Sequence, residues 1–325
     1  MNVSPLSRRL ADPPDASLPG GAPPPPPPPD DAAARAAAAA RYDELVAAGP
    51  PPDPDCAPQR TPWCDKAPVA RSVLFTQQQG DAHDIDANDV QQGQGTRDCY
   101  FLSSVAALAL TGAGRQAIRH AIVENRNDRG EVVSYTVTLH RPGPPRSFPA
   151  SLLLSRKFQD VKLTVDARFP GGSARPRPDG HGPAEGQAVE IWPAVLEKAY
   201  AQYSRGYAAI AQGGKATDAM MVLTGRDAKT HELGWWYGGG RVQSDVEAGR
   251  LVVLTTRPGL VPNDPRAIHD YAVSSVDPGP DPIVRVVNCW GHVDPGQEPV
   301  PGLAVPLSRL RDFFTTAHVG DVRAP

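Results

Sequence analysis

Seven consecutive prolines, Pro23–Pro29, bound what the first fifth of this 325-residue chain can become. Proline holds φ near about −65° and offers no backbone N–H, so the run can be neither helix nor interior strand and reads as a polyproline II rod. Behind it, "DDAAARAAAAARYDELVAAG" has capping aspartates (Asp30, Asp31), strong alanine propensity and a closing Gly49, but too thin an apolar face to anchor a core. The expectation is a short marginal helix, after which "PPPDPD" resumes the linker. Residues 1–65 therefore read as a Pro/Ala-rich linker or tail, a plain spacer in preference to a segment that binds a partner through its proline run, and residues 66–325 as the folding domain.

From about Val73 onward the chain is domain-like. Its 40% hydrophobic and 21% charged residues suffice for a sizeable core. A net charge of −3 leaves no basic excess to neutralise phosphates, which argues against nucleic acid or an acidic membrane surface as partner. No apolar run approaches the roughly 18–20 residues that span a bilayer. The N-terminus has two arginines but no apolar stretch of signal-peptide length, so Sec export is not expected and the cytoplasm is the default. A different secretion route would leave no such mark. Four cysteines are too few for a disulfide-built scaffold. Cys56 and Cys64 are close enough to bridge, or to stand as two thiols.

Periodicity then sorts the domain. "CYFLSSVAALAL" and "AVEIWPAVLEKAYAQYS" carry apolar residues at helical spacing. "VVSYTVTLHR" and "VKLTVDARFP" alternate as half-buried strands, the second stopping at Pro170. "GGSARPRPDGHGPAEG" is a breaker-rich loop, and "RLVVLTT", "HDYAVSSVD" and "IVRVVNCWG" are short strands. An early helix followed by a strand-rich half predicts an α+β fold, not alternating βαβ units.

Cys99 stands where the breaker-rich "DVQQGQGTR" gives way to that first helix. A thiol in the first turn faces unsatisfied N–H groups and the positive end of the dipole, which favour a thiolate. Its base would be a histidine at a strand. His269 opens one strand and Asn288 ends the next, 19 positions on, enough for an antiparallel pair. That pairing predicts the Asn288 amide oxygen on the imidazole N–H, fixing the tautomer, with Trp290 shielding the bond from water. A nucleophile, a base and an orienter follow from the chain alone.

These residues resemble a known family. The core of calpain-type, papain-like cysteine proteases reads Q-G-x-L-G-D-C-[WY]-[FL]-L, H-x-Y-x-V and N-P-W-G; this chain has "QGQGTRDCYFL", "HDYAV" and "NCWG" in that order. "VDARFP", "EIWPAVLEKAYAQYSRGYAAIAQGG" and "LSRLRDFF" are similar to three further family blocks. Together they cover roughly residues 70–320. The resemblance implies a papain-like two-lobed fold, with a helical lobe opening on Cys99, a β-rich lobe carrying His269 and Asn288, and the cleft between them. It implies a cysteine endopeptidase acting on protein or peptide substrates through an acyl-enzyme, with Cys99 as nucleophile, His269 as general base and acid, and Asn288 as orienter. A catalytically impaired binding protein and a Cys-His-Asn acyltransferase are the alternatives.

Departures matter as much. The family's oxyanion-hole glutamine lies six residues before the cysteine, a position held here by Gly93. Gln92 keeps the "QG" pair with one residue inserted and is the expected donor, with Gln94 one residue late. Arg97 and Cys289 replace a glycine and a proline. No cofactor is required by this chemistry. Animal calpains bind calcium in their core, and Asp81, Asp84, Asp86 and Asp89 invite that reading, but the stretch lacks the glycine and final glutamate of an EF-hand loop. A solvated acidic turn is the expectation. Trp192 and Tyr200 are expected to pack, Glu197 and Lys198 to lie at the surface or pair between domains, and Gly238–Gly240 to connect strands. The small size and composition, without the C-terminal modules of animal calpains, suggest a bacterial stand-alone form, an effector or toxin domain.

Overall fold

The computed structural model describes residues 63–64, 66–75, 85–93, 96–144, 156–174, 188–261, 264, 266–291, 300 and 303–322. These lie in a unit spanning Pro52–Pro325. The proline run, the alanine-rich segment, Cys56, Asp81, Asp84 and Gln94 fall outside the described residues. Cys64 is disulfide-bonded, while Cys99 and Cys289 are free thiols.

Helix α1 (Cys99–Ala109) is the axis of the fold, and Tyr100–Ala109 are all buried. A helix apolar on every side can survive only in an interior. Its two serines are satisfied there: Ser103 Oγ donates to the Asp270 carbonyl at 2.6 Å and Ser104 Oγ to the Tyr100 carbonyl at 2.8 Å. After Leu110, Thr111 accepts the Gly114 N–H and starts α2 (Gly112–Ala121). Helix α3 (Trp192–Tyr203) begins with Pro193 in its first turn, where a missing N–H does no harm. Next come α4 (Tyr207–Ile210), α5 (Ala216–Thr224), α6 (Gly239–Glu247) and α7 (Leu310–Phe313).

The strands are β1 (Lys66–Ala67), β2 (Ser72–Val73), β3 (Ile122–Arg126), β4 (Val132–Pro142), β5 (Phe158–Asp166), β6 (Phe169–Pro170) and β7 (Val189–Glu190). They continue with β8 (Ala228–Glu232), β9 (Leu251–Thr256), β10 (Asp270–Asp277), β11 (Ile283–Asn288), β12 (Ala304–Pro306) and β13 (Phe314–Gly320). The main sheet has the order β12-β11-β10-β9-β13-β8, and a second has β3-β4-β5. Two-residue pairs β1–β6 and β2–β7 tie the loop regions together.

Period-2 alternation divides the main sheet between two cores. Leu251, Val253 and Ala272 face a cluster shared with α1, α3 and α5, and with Tyr135, Val137 and Val165 of the smaller sheet. Val252, Leu254, Tyr271 and Val273 face a second cluster with Val242 of α6 and Phe314. The fold is α+β: helices and strands come in mixed runs along the chain, and the two larger sheets are antiparallel.

Three local expectations are corrected. The strand through "VKLTVDARFP" stops at Asp166, whose carboxylate accepts the Arg168 N–H at 2.8 Å and turns the chain before β6. Gly238–Gly240 open helix α6 instead of joining strands, and a side chain on Gly239 would strike Leu307. Glu197 and Lys198 are buried, not at the surface. Lys198 Nζ is satisfied inside by the Asp166 carboxylate (2.9 Å) and by the Asp166 and Arg168 carbonyls (3.1 and 2.5 Å). Trp192 and Tyr200 are packing residues, as expected.

Candidate active site

Cys99 is the first residue of α1, and the Asp98 carbonyl accepts the N–H groups of Phe101 and Leu102 at 2.8 and 3.0 Å. The Cys99 N–H belongs to the first turn, where no intrahelical acceptor exists. Half-buried Cys99 is packed against the start of β10, where the Asp270 N–H hydrogen-bonds the sulfur. Burial raises the thiol above its ordinary value; the charges of Asp270 and Asp98 add to this, and the N–H groups of Asp270 and Tyr100 oppose it.

His269 precedes β10 and is pinned to the end of β9 by a reciprocal pair. Its N–H donates to Thr256 Oγ1 and its carbonyl accepts the Thr256 N–H, both at 2.8 Å. Antiparallel pairing sets Tyr271 opposite Asn288, which brings the Asn288 side chain back over the imidazole. Asn288 Oδ1 lies 2.7 Å from His269 Nε2 and accepts the Trp290 N–H at 2.9 Å. A backbone N–H can only donate, so the atom it meets must be the amide oxygen. His269 Nε2 must then carry the proton, and Nδ1 keeps its lone pair. The Trp290 ring covers the imidazole at 4.1 Å, and Tyr271 meets it edge-on at 5.0 Å. Burial lowers His269 to about 4, against the hydrogen bond to Asn288 that favours the proton. At rest this environment favours a neutral thiol and a neutral imidazole.

The loop before Cys99 is held from several sides. Gln92 donates its backbone N–H to the Cys289 carbonyl at 2.5 Å. Its side-chain Nε2 turns into the loop, donating to the Thr96 carbonyl and to Asp98 Oδ1 at 3.0 Å. The buried Cys289 thiol lies 3.8 Å from Gln92 Oε1. Gly93, where the family's spacing puts the oxyanion glutamine, packs so tightly on the Gly172 backbone that a Cβ would overlap its carbonyl. Arg97 is exposed.

Two carboxyl pairs stand behind this loop, and neither is apparent from sequence spacing. Asp89 faces Glu190 and accepts N–H groups from Asp86 (2.8 Å) and the Trp192 indole (3.2 Å). Burial first, then the charge of Glu190, raises Asp89 to about 8. Asp98, raised to about 6 by burial, is fully buried, as is Glu197 of α3, which counts among the groups that lower it. Their residue types were visible, but nothing in helical periodicity marks Glu197 as internal.

Of the acidic stretch, Asp86 caps a one-turn 3-10 helix through the Asn88 N–H and Asp89 completes the capping box. Among the described residues no group of three or more His, Cys, Asp or Glu could hold a metal ion. Asp89 and Glu190 supply two carboxylates, against the six to eight oxygens calcium takes, so backbone carbonyls would have to complete a shell. No described helix is long and apolar enough to cross a membrane. A depression of about 880 Å³ lies elsewhere, lined by Leu74, Phe75, Arg119, Ile122 and Tyr135 among others, with none of Cys99, His269 or Asn288.

With this geometry in place, comparison with known families finds a match to the model described as calpain family cysteine protease over residues 72–295. A search of the curated proteins finds no match.

Proposed function

This chain belongs to the calpain family of cysteine proteases, and on that premise we propose that it is an endopeptidase working through Cys99, His269 and Asn288. The observation that carries the reading is the 2.7 Å contact between His269 Nε2 and Asn288 Oδ1, beside a helix-start cysteine docked on the same strand. We place the substrate cleft between the helical side that opens on Cys99 and the sheet that carries His269 and Asn288.

In the proposed reaction Cys99 Sγ attacks the peptide carbonyl carbon as its proton passes to His269 Nδ1. Neither ion is favoured alone in this environment, so the transfer is best coupled to attack, when the negative charge moves to the carbonyl oxygen. The Cys99 N–H is one donor for that oxyanion. Gln92 is the second in our proposal, and its amide must then leave Thr96 and Asp98 to point at substrate. Imidazolium protonates the leaving amine, and water deprotonated by His269 releases the acyl-enzyme. Asn288 holds the ring in the productive tautomer, and Trp290 keeps water from that bond.

Replacing Cys99 by alanine should abolish cleavage of a denatured protein substrate; undiminished cleavage would sink the assignment. The inward-turned Gln92 amide motivates a second reading, a calpain-like binding protein that no longer turns over. Iodoacetamide that leaves Cys99 unlabelled near neutral pH would favour it. Mass spectrometry of products separates hydrolysis from acyl transfer to amines.

A further inference from the structure

We infer that Thr230, His318 and Thr255 form a proton relay across the strands of the main sheet, through which the buried Asp270 carboxyl exchanges its proton with solvent at the sheet's far edge. Thr255 and His318 are thereby positioning residues for the charge that stands next to the base, a bearing on catalysis that rests on the proposed roles of Cys99 and His269. Strand pairing sets Thr230 opposite His318 and Thr255 opposite Asp270, and alternation puts all four on the face that packs against α1. Thr255 Oγ1 donates to Asp270 Oδ1 at 2.5 Å. His318 Nε2 lies 3.0 Å from the same hydroxyl, and His318 Nδ1 lies 3.0 Å from Thr230 Oγ1. Thr255, His318 and Asp270 are buried, while Thr230 is exposed on β8, the edge strand.

The direction of the chain follows from counting protons. A hydroxyl has one, and Thr255 gives it to a carboxylate that can only accept. Thr255 Oγ1 therefore accepts from His318 Nε2–H, the neutral ring keeps its lone pair at Nδ1, and the Thr230 hydroxyl donates to that nitrogen. Thr217 Oγ1 of α5 stands 3.4 Å from the Thr230 hydroxyl. When Asp270 takes up a proton, every link shifts by one. The Thr255 proton passes to Asp270, the His318 Nε2 proton to Thr255, the Thr230 proton to His318 Nδ1, and a solvent proton to Thr230. No link is left charged, each hydrogen bond survives with its direction reversed, and His318 has changed tautomer.

Asp270 is where such a change matters. It directly follows His269, and its backbone carbonyl accepts Ser103 Oγ of α1 at 2.6 Å, so it joins the strand of the base to the helix of the nucleophile. Beyond burial, its charge raises the thiols of both Cys99 and Cys289. Burial first, then the charges of Lys215 and His231 that face it, lowers His318 to about 4. The ring thus stays neutral where Asp270, raised to about 6 by burial, titrates. Above about 6 the carboxylate opposes a thiolate at Cys99, and below it that opposition is lifted.

Nitrogen-15 histidine spectra of the full chain test the relay, with the His318 signals identified by their loss in His318→Gln. The Nε2–H form should hold at pH 7.5 and give way to Nδ1–H with a midpoint near 6, above the range where the ring itself charges. Thr255→Val cuts the chain and Asp270→Asn removes the titrating group, so in both the tautomer should be the same at pH 5 and pH 7.5. Thr255→Ser should restore the switch. Iodoacetamide labelling of Cys99 at pH 8 should be at least about threefold faster in Asp270→Asn than in wild type. In Thr255→Val, whose carboxyl has lost its donor, the pH at which labelling is held back should move up by about one unit. If Thr255→Val does not fold, Asp270→Asn carries the comparison alone. A wild-type tautomer unchanged between pH 5 and pH 7.5, or one that switches equally in Asp270→Asn, overturns the relay, whether or not the protein cleaves substrate. A switch that is lost in Asp270→Asn, in a protein whose wild type cleaves nothing, sustains the relay and overturns only the protease reading.

Discussion

Removing the Asn288 side chain should separate orientation from chemistry. Asn288→Ala deletes the acceptor of two hydrogen bonds, at 2.7 Å from His269 Nε2 and 2.9 Å from the Trp290 N–H. Half-buried Trp290 can turn its N–H to water, but His269 is 1% exposed, so its Nε2–H is left unsatisfied. Such a group costs about 1–3 kcal/mol. For a chain of this size the thermal midpoint should fall by roughly 5 °C. The imidazole also escapes this loss by moving its proton to Nδ1, and a ring so protonated cannot act as base toward Cys99. If about 2 kcal/mol of preference for the productive tautomer disappears, kcat should drop roughly 30-fold with KM little changed. Asn288→Asp keeps an acceptor for both donors and adds a charge that raises His269 above about 4. The imidazolium then persists to higher pH, and the acidic limb of kcat/KM should move upward. Steady-state cleavage of a fluorogenic peptide across pH 4–9 reads both variants. An Asn288→Ala enzyme with kcat within threefold of wild type, or with its whole loss in KM, would refute the orienting role.

Asp270 is raised to about 6 by burial, against a 2.5 Å hydrogen bond from Thr255, and the stability of its protonated form is lost as pH rises from 3.8 through 6. Asp270→Asn should therefore gain about 3 kcal/mol over its parent at pH 8 and nothing near pH 4 in urea titrations. His269 and His318, both lowered to about 4 by burial, push each protein's own curve the other way, so the difference between the two proteins is the quantity to read; parallel curves would dismiss the buried charge. Gly93→Ala should cost at least about 2 kcal/mol and depress activity, because its methyl group overlaps the Gly172 carbonyl, and an unchanged thermal midpoint would contradict that packing. Calcium at millimolar concentration should raise the thermal midpoint if Asp89 and Glu190 hold it, and Glu190→Gln should abolish the rise; no response in the wild type rules out that site.

The sequence by itself determined the short-range features. Tyr100–Ala109 is apolar enough to demand a buried helix, and the alternation of "DYAVSSVD" and "IVRVVN" makes two strands whose pairing brings residues 269 and 288 together. Patterns of this kind are local, because each residue's environment follows from neighbours two to four positions away. Only the tertiary structure decided how the charged residues were used. Glu197 and Lys198 look like surface charges along a helix, yet α3 is enclosed on every side, and the groups they act on, Asp98 and Asp166, come from elements that no periodicity connects to it. Gly238–Gly240 likewise look like a connection until Leu307 arrives from a distant turn against a helix start. The oxyanion loop is the sharpest case. Motif spacing left Gln92 and Gln94 as rivals for one position, and the extra residue shows its consequence only where Gly93 meets Gly172 and Gln92 meets Asp98. Burial and long-range hydrogen bonds set the charge state of such groups, and both arise only when distant segments pack together.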